Sequence, residues 1–297
     1  MYFKAKAKSK YIDIKTTADR EPQKLSQSTS AGNNKPEISI KMISKNKMNF
    51  VISLQKKKSR EEEKLYVIEG DKLVREYLMK GMKMRLLAAK PEFIGTLPAG
   101  QKDLIAEIEP AGYEDLKKMS TLATPHNAIA VVPIPDHKLV SYEILKGLCA
   151  ALDFVQDPGN MGTIIRAAAW FGIRNIICSG NCVDVYNPKV VQASMGALLN
   201  VSVIFCDLAK FLSDAQENEV PVFGTLLEGE SIYSARLGKK GVILLGNESK
   251  GISPDLLPFV TKKLMIPKFT TATTGIDSLN VGMAASVVFS EFARRIK

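Results

Sequence analysis

The sequence predicts an α/β protein in two folded parts, the second built on a parallel sheet, and three observations carry that prediction. From Gly147 onward, short apolar runs alternate with amphipathic ones. That pattern places parallel strands beneath helices on both faces. Three blocks in this half share one architecture, a strand followed by a polar, glycine-containing loop and then a helix. They are Leu152 to Phe171 (LDFVQDPGNMGTIIRAAAWF), Val242 to Ser253 (VILLGNESKGIS) and Leu264 to Phe289 (LMIPKFTTATTGIDSLNVGMAASVVF). Finally, 297 residues are long for one compact core and comfortable for two domains.

Composition narrows the class. The 45% hydrophobic and 24% charged fractions are those of a soluble globular protein. No apolar run approaches the roughly 18–20 residues of a membrane span. The opening MYFKAKAKSK is basic but lacks the apolar stretch of a secretory signal. Four cysteines in a chain of this size point to thiols in a reducing compartment, so the cytoplasm is expected. Cys178 and Cys182 lie close together, but only His126 and His137 are available to join them, and no metal site is expected. Residues 1–60 hold 15 Lys and Arg against 4 Asp and Glu, whereas the other 237 hold 26 against 27. The whole formal charge of +10 therefore sits in the first fifth of the chain, a distribution suited to attracting a polyanion as well as to solubilising a tail.

Residues 1–41 are dominated by Lys, Ser, Thr, Gln and Asn without apolar periodicity, and read as a basic, disordered extension. Residues 42–135 read as a small α/β domain. A helix is expected over Phe50–Lys58, a charged turn at SREEEK, and a strand at Leu65–Ile68. An amphipathic helix over Lys72–Lys80 follows, with Leu73, Val74, Tyr77 and Leu78 on its apolar side. A strand at Arg85–Ala89, a Pro/Gly loop, the apolar Ile105–Ile108, a helix over Tyr113–Met119 and a strand at Ala128–Pro133 complete it. Lys56, Lys57, Lys58, Arg60 and Lys64 are candidate phosphate contacts, since cations position a nucleic-acid backbone without reading its sequence.

Residues 136–146 form a linker, and 147–297 the second domain. Strands are expected at 149–155, 175–178, 201–205, 220–225, 241–246 and 264–266, with helices at 161–171, 188–198, 207–217, 254–260 and 279–295. Pro267 ends its strand because it lacks the ladder N–H. Ser278 is placed to cap the last helix. Asn280 is a polar amide at the head of an apolar helix, and a buried amide must find partners, so it is expected to face a site. GNESKGIS lacks P-loop spacing, and no G-x-G-x-x-G follows the first strand.

Taken in order, the three blocks resemble the SpoU (TrmH-like) family of RNA ribose 2′-O-methyltransferases, within the SPOUT superfamily. Pro158, Gly159, Asn160, Gly162 and Arg166 match one motif of the family. Gly246, Asn247, Glu248 and Gly251 match a second, and Ile266, Pro267, Ser278, Leu279, Asn280 and Val281 a third. The resemblance implies a trefoil-knotted catalytic domain that binds S-adenosylmethionine against Gly246, Ile266 and Leu279, preceded by an L30e-like RNA-binding domain. It assigns catalysis to a polar cluster of Asn160, Arg166, Glu248, Ser278 and Asn280, with Arg166 central. Because the arginine pKa exceeds 12, phosphate anchoring and charge stabilisation suit Arg166 better than general-base chemistry. The resemblance also implies a homodimer through the catalytic domain, with Ala284, Ala285, Val288 and Phe289 of the last helix as a packed or dimer-forming face. Its two-domain layout favours ribosomal over transfer RNA. The ten residues between Pro267 and Ser278 exceed the usual loop of the family. A non-catalytic RNA-binding or ribosome-assembly factor retaining this fold is the alternative, and the presence of all five polar residues argues against it.

Overall fold

The computed structural model describes residues 42–270 and 277–296. The expected extension over 1–41 and the middle of the long loop, 271–276, lie outside the described residues.

The first sheet has four strands, β1 (Leu65–Glu69), β2 (Leu86–Ala89), β3 (Ile108–Pro110) and β4 (Ala128–Pro133), in the order β1-β4-β2-β3. The β4 strand is antiparallel to both β1 and β2, and β2 runs parallel to β3. Around the sheet lie α1 (Lys45–Ser53), α2 (Lys57–Glu63), α3 (Asp71–Met79), α4 (Pro91–Gly95), α5 (Ala99–Lys102) and α6 (Tyr113–Met119). Each face carries its own apolar cluster, one around Ile68, Tyr77 and Leu87 and the other around Val51, Leu54 and Leu116.

Two local expectations change here. The helix expected over Phe50–Lys58 starts earlier because Ser44 caps it at the amide of Lys47, and it ends at Ser53 with Leu54 as its C-cap. The expected turn SREEEK lies largely within a second helix, α2. Lys57–Glu61 and Lys58–Glu62 meet across one turn of it at 3.6 and 3.8 Å.

After α7 (Ser141–Ile144), the second sheet has six parallel strands in the order β10-β8-β9-β5-β6-β7. They are β5 (Leu148–Leu152), β6 (Asn175–Cys178), β7 (Ser202–Phe205), β8 (Val222–Ser231), β9 (Gly241–Leu245) and β10 (Lys262–Met265). One face is covered by α8 (Pro158–Trp170), α9 (Pro188–Ser194) and α11 (Val281–Ile296), and the other by α7 and α10 (Leu208–Glu217). The expected helix at 254–260 is instead a turn followed by the 3-10 turn Leu257–Phe259. Pro258 has no N–H for the ladder such a helix would need. The α9 helix stops short of 198 because Met195 takes a left-handed conformation and Gly196 follows at φ +85°.

The α11 helix begins at Val281, and its cap is Asn280 rather than Ser278. The Asn280 Oδ1 accepts from the amides of Gly282 (2.9 Å) and Met283 (3.2 Å). Of the face read as packed or dimer-forming, Ala285, Val288 and Phe289 are fully buried in the core of this chain, so they are packed, and Ala284 is half-buried. No helix among the described residues is long and apolar enough to cross a membrane.

Candidate active site

The site collects at the carboxyl ends of the parallel strands, where open α/β sheets place their ligands. Asp157 caps α8, its carboxylate accepting from the Asn160 amide at 2.7 Å, and Pro158 fills the first helical position. The Asn160 side chain thus sits in the first turn of α8. Its Nδ2 donates to Glu248 Oε1 at 2.8 Å, and its Oδ1 accepts from Asn280 Nδ2 at 2.8 Å. One amide therefore joins the loop after β9 to the head of α11. Asn160 and Glu248 both belong to the polar cluster that the resemblance implied, and the bond joins them directly. The further bond to Asn280 gives that amide a partner, but Asn280 is exposed rather than buried, so burial does not compel the pairing.

Behind this network stands Asn247. Its Nδ2 donates to the Phe154 carbonyl at 2.8 Å and to Glu248 Oε2 at 3.2 Å. Its Oδ1 accepts from the amides of Ser249 and Lys250, both at 3.0 Å. Phe154, just past β5, has φ +60°. For a bulky side chain this is a strained conformation of the kind found at functional sites. Ser179 Oγ holds it from the other side by accepting from its amide at 3.0 Å. Sequence reading placed Asn247 in a motif but missed this supporting role, because its partner lies 93 residues away.

Gly246 is buried where the loop doubles back, with Asn247 and Gly251 exchanging backbone bonds at 2.9 and 3.0 Å. Ile266 is half-buried just beyond β10, and Leu279 is exposed beside Asn280. A cleft of about 390 Å³ opens beyond β5, β6, β7 and β9, with Asp153, Asn181, Asp207 and Asn247 in its walls. Gly246, Ile266 and Leu279 do not line it, so the cleft adjoins the predicted donor site without coinciding with it.

Arg166 lies two turns along α8 and is exposed, apart from the Asn160 network. Among the described residues its guanidinium meets the Met195 thioether, at 2.7 Å. A thioether is a weak acceptor, which leaves the fork available for a stronger anion. Ser278 is exposed and makes no side-chain hydrogen bond among the described residues. Of the five predicted catalytic residues, three are bonded together, and Arg166 and Ser278 stand apart. Lys56, Lys57, Lys58 and Lys64 are at the surface, as phosphate contacts require. Arg60 is not. It is 2% exposed, and its guanidinium donates to the carbonyls of Leu54 and Gln55 and to the Asp184 carboxylate, so it is withdrawn from that group.

Comparison with known proteins places this geometry. The SpoU rRNA Methylase family model matches residues 147–290, and that of the MRM3-like substrate binding domain matches residues 45–130. A solved structure of a TrmH-family protein from Porphyromonas gingivalis is 36% identical and covers 86% of this chain and 100% of its own, with a TM-score of 0.77. The chain belongs to the SpoU family. It is also similar to the AdoMet-bound rRNA methyltransferase of Sinorhizobium meliloti. That structure is 25% identical and covers 85% of this chain and 96% of its own, with a TM-score of 0.74. The 23S rRNA (guanosine(2553)-2′-O)-methyltransferase RlmP of Bacillus subtilis is 27% identical over 79% of this chain and 91% of its own. For this SpoU-family chain, the three sequence blocks and the three bonded side chains coincide.

Proposed function

We propose that this SpoU-family chain methylates a ribose 2′-hydroxyl of RNA, ribosomal rather than transfer RNA, with S-adenosylmethionine as donor. The observation that carries the reading is the Glu248–Asn160–Asn280 chain of hydrogen bonds beside a helix that presents Arg166 to solvent.

The residues fit the donor. At Gly246 the backbone is so closely folded that a Cβ would lie 2.2 Å from the Gly251 carbonyl carbon, which leaves main-chain groups as the loop's inner surface. Asn160 draws the segment after Gly246 and the segment after Leu279 together, so the two sides of the predicted cradle are tied through one side chain. Gly246, Ile266 and Leu279 would hold the donor by backbone contacts and an apolar wall. When bound, S-adenosylmethionine supplies an electrophilic methyl group on a sulfonium sulfur. Arg166 holds the phosphate beside the target ribose and offsets the negative charge that grows on the hydroxyl oxygen as its proton leaves for solvent. Asn160 and Glu248 keep the loop after β9 in register with α8, and Asn280 does the same for the head of α11. Ser278 is a hydrogen-bonding group at the substrate edge. Lys56, Lys57, Lys58 and Lys64 contact RNA phosphates from an L30e-like domain over 42–135. A trefoil knot in 147–297 is supported by β9 lying between β5 and β8, and by α11 returning from β10 at the sheet edge to pack on α8. A homodimer would use the outer side of α11, where Met283 is exposed and Ala284 and Val287 are half-exposed. Its four free thiols suit the cytoplasm.

The test is methyl transfer from labelled S-adenosylmethionine to ribosomal RNA from a strain lacking the gene, followed by nuclease mapping. Label at one ribose with the wild type, and loss of about a hundredfold or more with Arg166→Ala at unchanged donor binding, is the expected result. RNA binding without transfer into any fraction would overturn the enzyme reading.

A further inference from the structure

In the second sheet the strand order reverses between β5 and β9, since β6 and β7 extend it on one side of β5 and β9 lies on the other. Open α/β sheets bind ligands at that point, beyond the carboxyl ends of the strands. The cleft found there, of about 390 Å³, falls within the roughly 300–1,000 Å³ of small-molecule sites. Gly246, Ile266 and Leu279 are not among its walls, so the donor does not account for it. Asp153 gives the cleft its character. This residue follows β5, is 4% exposed and lines the cleft. Its Oδ2 accepts from the Ser253 amide at 2.7 Å, and its Oδ1 has no hydrogen-bond partner among the described residues. A nearly buried carboxylate oxygen without a donor is costly, and a ligand that brings one relieves the cost. Asp207 and Asp255 add two carboxylates against the single cation Lys250, which turns phosphate away. Among the described residues no group of three or more His, Cys, Asp and Glu could hold a metal ion, so the walls suit a neutral group rich in donors.

We infer that this cleft takes the base of the target nucleotide, and that Asp153 selects guanine by accepting from its N1–H and 2-amino groups. This rests on the RNA reading above and extends it to the identity of the base. On its Watson–Crick edge guanine alone presents two adjacent donors. In adenine, cytosine and uracil an acceptor stands beside the donor and would face the carboxylate unpaired. Phe154 also lines the cleft, its backbone held in the strained turn by Ser179 and Asn247, and gives the base an apolar wall. Asn247 is a wall of the cleft too, and it donates to Glu248, which accepts from Asn160. A ribose held at the polar cluster and a base held in the cleft are therefore neighbours, as one nucleotide requires. Arg166 is not among the cleft walls and keeps the phosphate away from the three carboxylates.

Guanosine, inosine and uridine are titrated into the full chain, saturated with S-adenosylhomocysteine to keep them out of the donor site, and binding is read by ligand-observed NMR. Guanosine should bind about five- to a hundredfold more tightly than uridine. Inosine, which lacks the 2-amino group, should fall between them. Asp153→Asn keeps an oxygen for the Ser253 amide but turns an NH2 group toward the cleft. It should erase the preference while melting close to the wild type. Asn181→Trp, at an exposed position in the wall, should fill the cleft and block guanosine with donor binding unchanged. This second variant reports on the cleft even if Asp153→Asn loses stability. In the transfer experiment above, label should map to a guanosine ribose. Replacing that guanosine by inosine in a synthetic fragment should slow the wild type and leave Asp153→Asn indifferent, whereas a merely structural Asp153 would leave the inosine penalty in place. Equal affinity for the three nucleosides, guanosine binding untouched by both variants, or label at any other nucleoside overturns the inference and leaves the methyltransferase reading standing. Guanosine selection without transfer into any RNA keeps the base site and overturns that reading instead.

Discussion

A Cβ built on Gly246 would lie 2.2 Å from the Gly251 carbonyl carbon and 2.3 Å from the Ile252 amide nitrogen, both backbone atoms that no rotamer change can move. Gly251 is the opposite case, with φ +70° but nothing within 4 Å of an added Cβ. Gly246→Ala should therefore open the loop, carry Glu248 away from Asn160, and weaken S-adenosylmethionine binding at least tenfold. It should also destabilise the fold by about 1–3 kcal/mol. Gly251→Ala should cost about 1 kcal/mol of backbone strain and leave binding nearly intact. Calorimetric titration with the donor and thermal melting separate the two, and equal effects would show that the loop tolerates opening. At this scale the sequence was most informative where residue type and motif agreed. Asn160 does bond to both Glu248 and Asn280. Arg60 could not be read in the same way, because in a run of lysines nothing local distinguishes a buried arginine from a solvated one.

The last helix shows how an element is held at the end opposite to its chemistry. Near its C-terminus Glu291, 7% exposed, accepts from Arg294 Nε at 3.0 Å and Nη2 at 2.7 Å, and from Arg295 Nε at 2.8 Å. Arg295 in turn donates to the carbonyl of Ile232 at 3.2 Å, anchoring the helix on the segment after β8. Arg294, and then Arg295, hold the Glu291 carboxyl down at about 2, against an ordinary value of 4.5. A carboxylate depressed on folding stabilises the native state fully above its unfolded pKa, and that contribution fades as pH falls from about 4.5 toward 2. Glu291→Gln should thus lower stability at pH 7 by about 1–3 kcal/mol, reduced from a fully buried pair because Arg294 is largely exposed. The variant should also lose less stability than wild type between pH 5 and 2, as followed by urea melts across that range. Parallel acid limbs would remove the assignment. The helix itself was legible from its apolar run, as was the existence of all six parallel strands, although β8 runs on to Ser231, six residues past its expected end, because period and strand–helix alternation are local signals. Its cap was not. Ser278 and Asn280 are both good caps, and the choice was made by tertiary contact, since Asn280 also reaches Asn160 across 120 residues.

On the scale of the molecule, the two sheets are joined by a buried charge pair rather than by the linker alone. The Arg60 side chain, on α2, is 3% exposed and the Asp184 side chain, in the loop after β6, 17%. The Arg60 Nε donates to Asp184 Oδ2 at 3.2 Å, and the other carboxylate oxygen accepts from the Tyr186 amide at 2.9 Å. Tyr186 packs on Tyr66 of β1 with ring centroids 4.7 Å apart, and Tyr66 shares a hydrogen bond with Tyr77 at 2.8 Å. Val191 of α9 joins the core of the first sheet. The candidate RNA contacts on α2 are thereby held at a set distance from Arg166. This docking was invisible in the sequence, because its partners lie 124 residues apart and each is an ordinary charged residue in its own surroundings. Removing one member of such a pair costs more than the pair contributes, since the other is left charged and desolvated. Asp184→Ala strands the guanidinium of Arg60 with two carbonyls and should destabilise by about 3 kcal/mol. Arg60→Met should cost less, because it strands no buried cation and its apolar stem fills much of the same space. If the pair docks one sheet on the other, its loss also frees the exposed 136–140 segment, and trypsin should cut at Lys138 at least tenfold faster in Asp184→Ala under native conditions. A lowered melting temperature with unchanged cleavage at Lys138 would mean that the pair supports only its own loop. The spacing between the lysines of α2 and Arg166 would then have to be held by the tyrosine cluster and Val191.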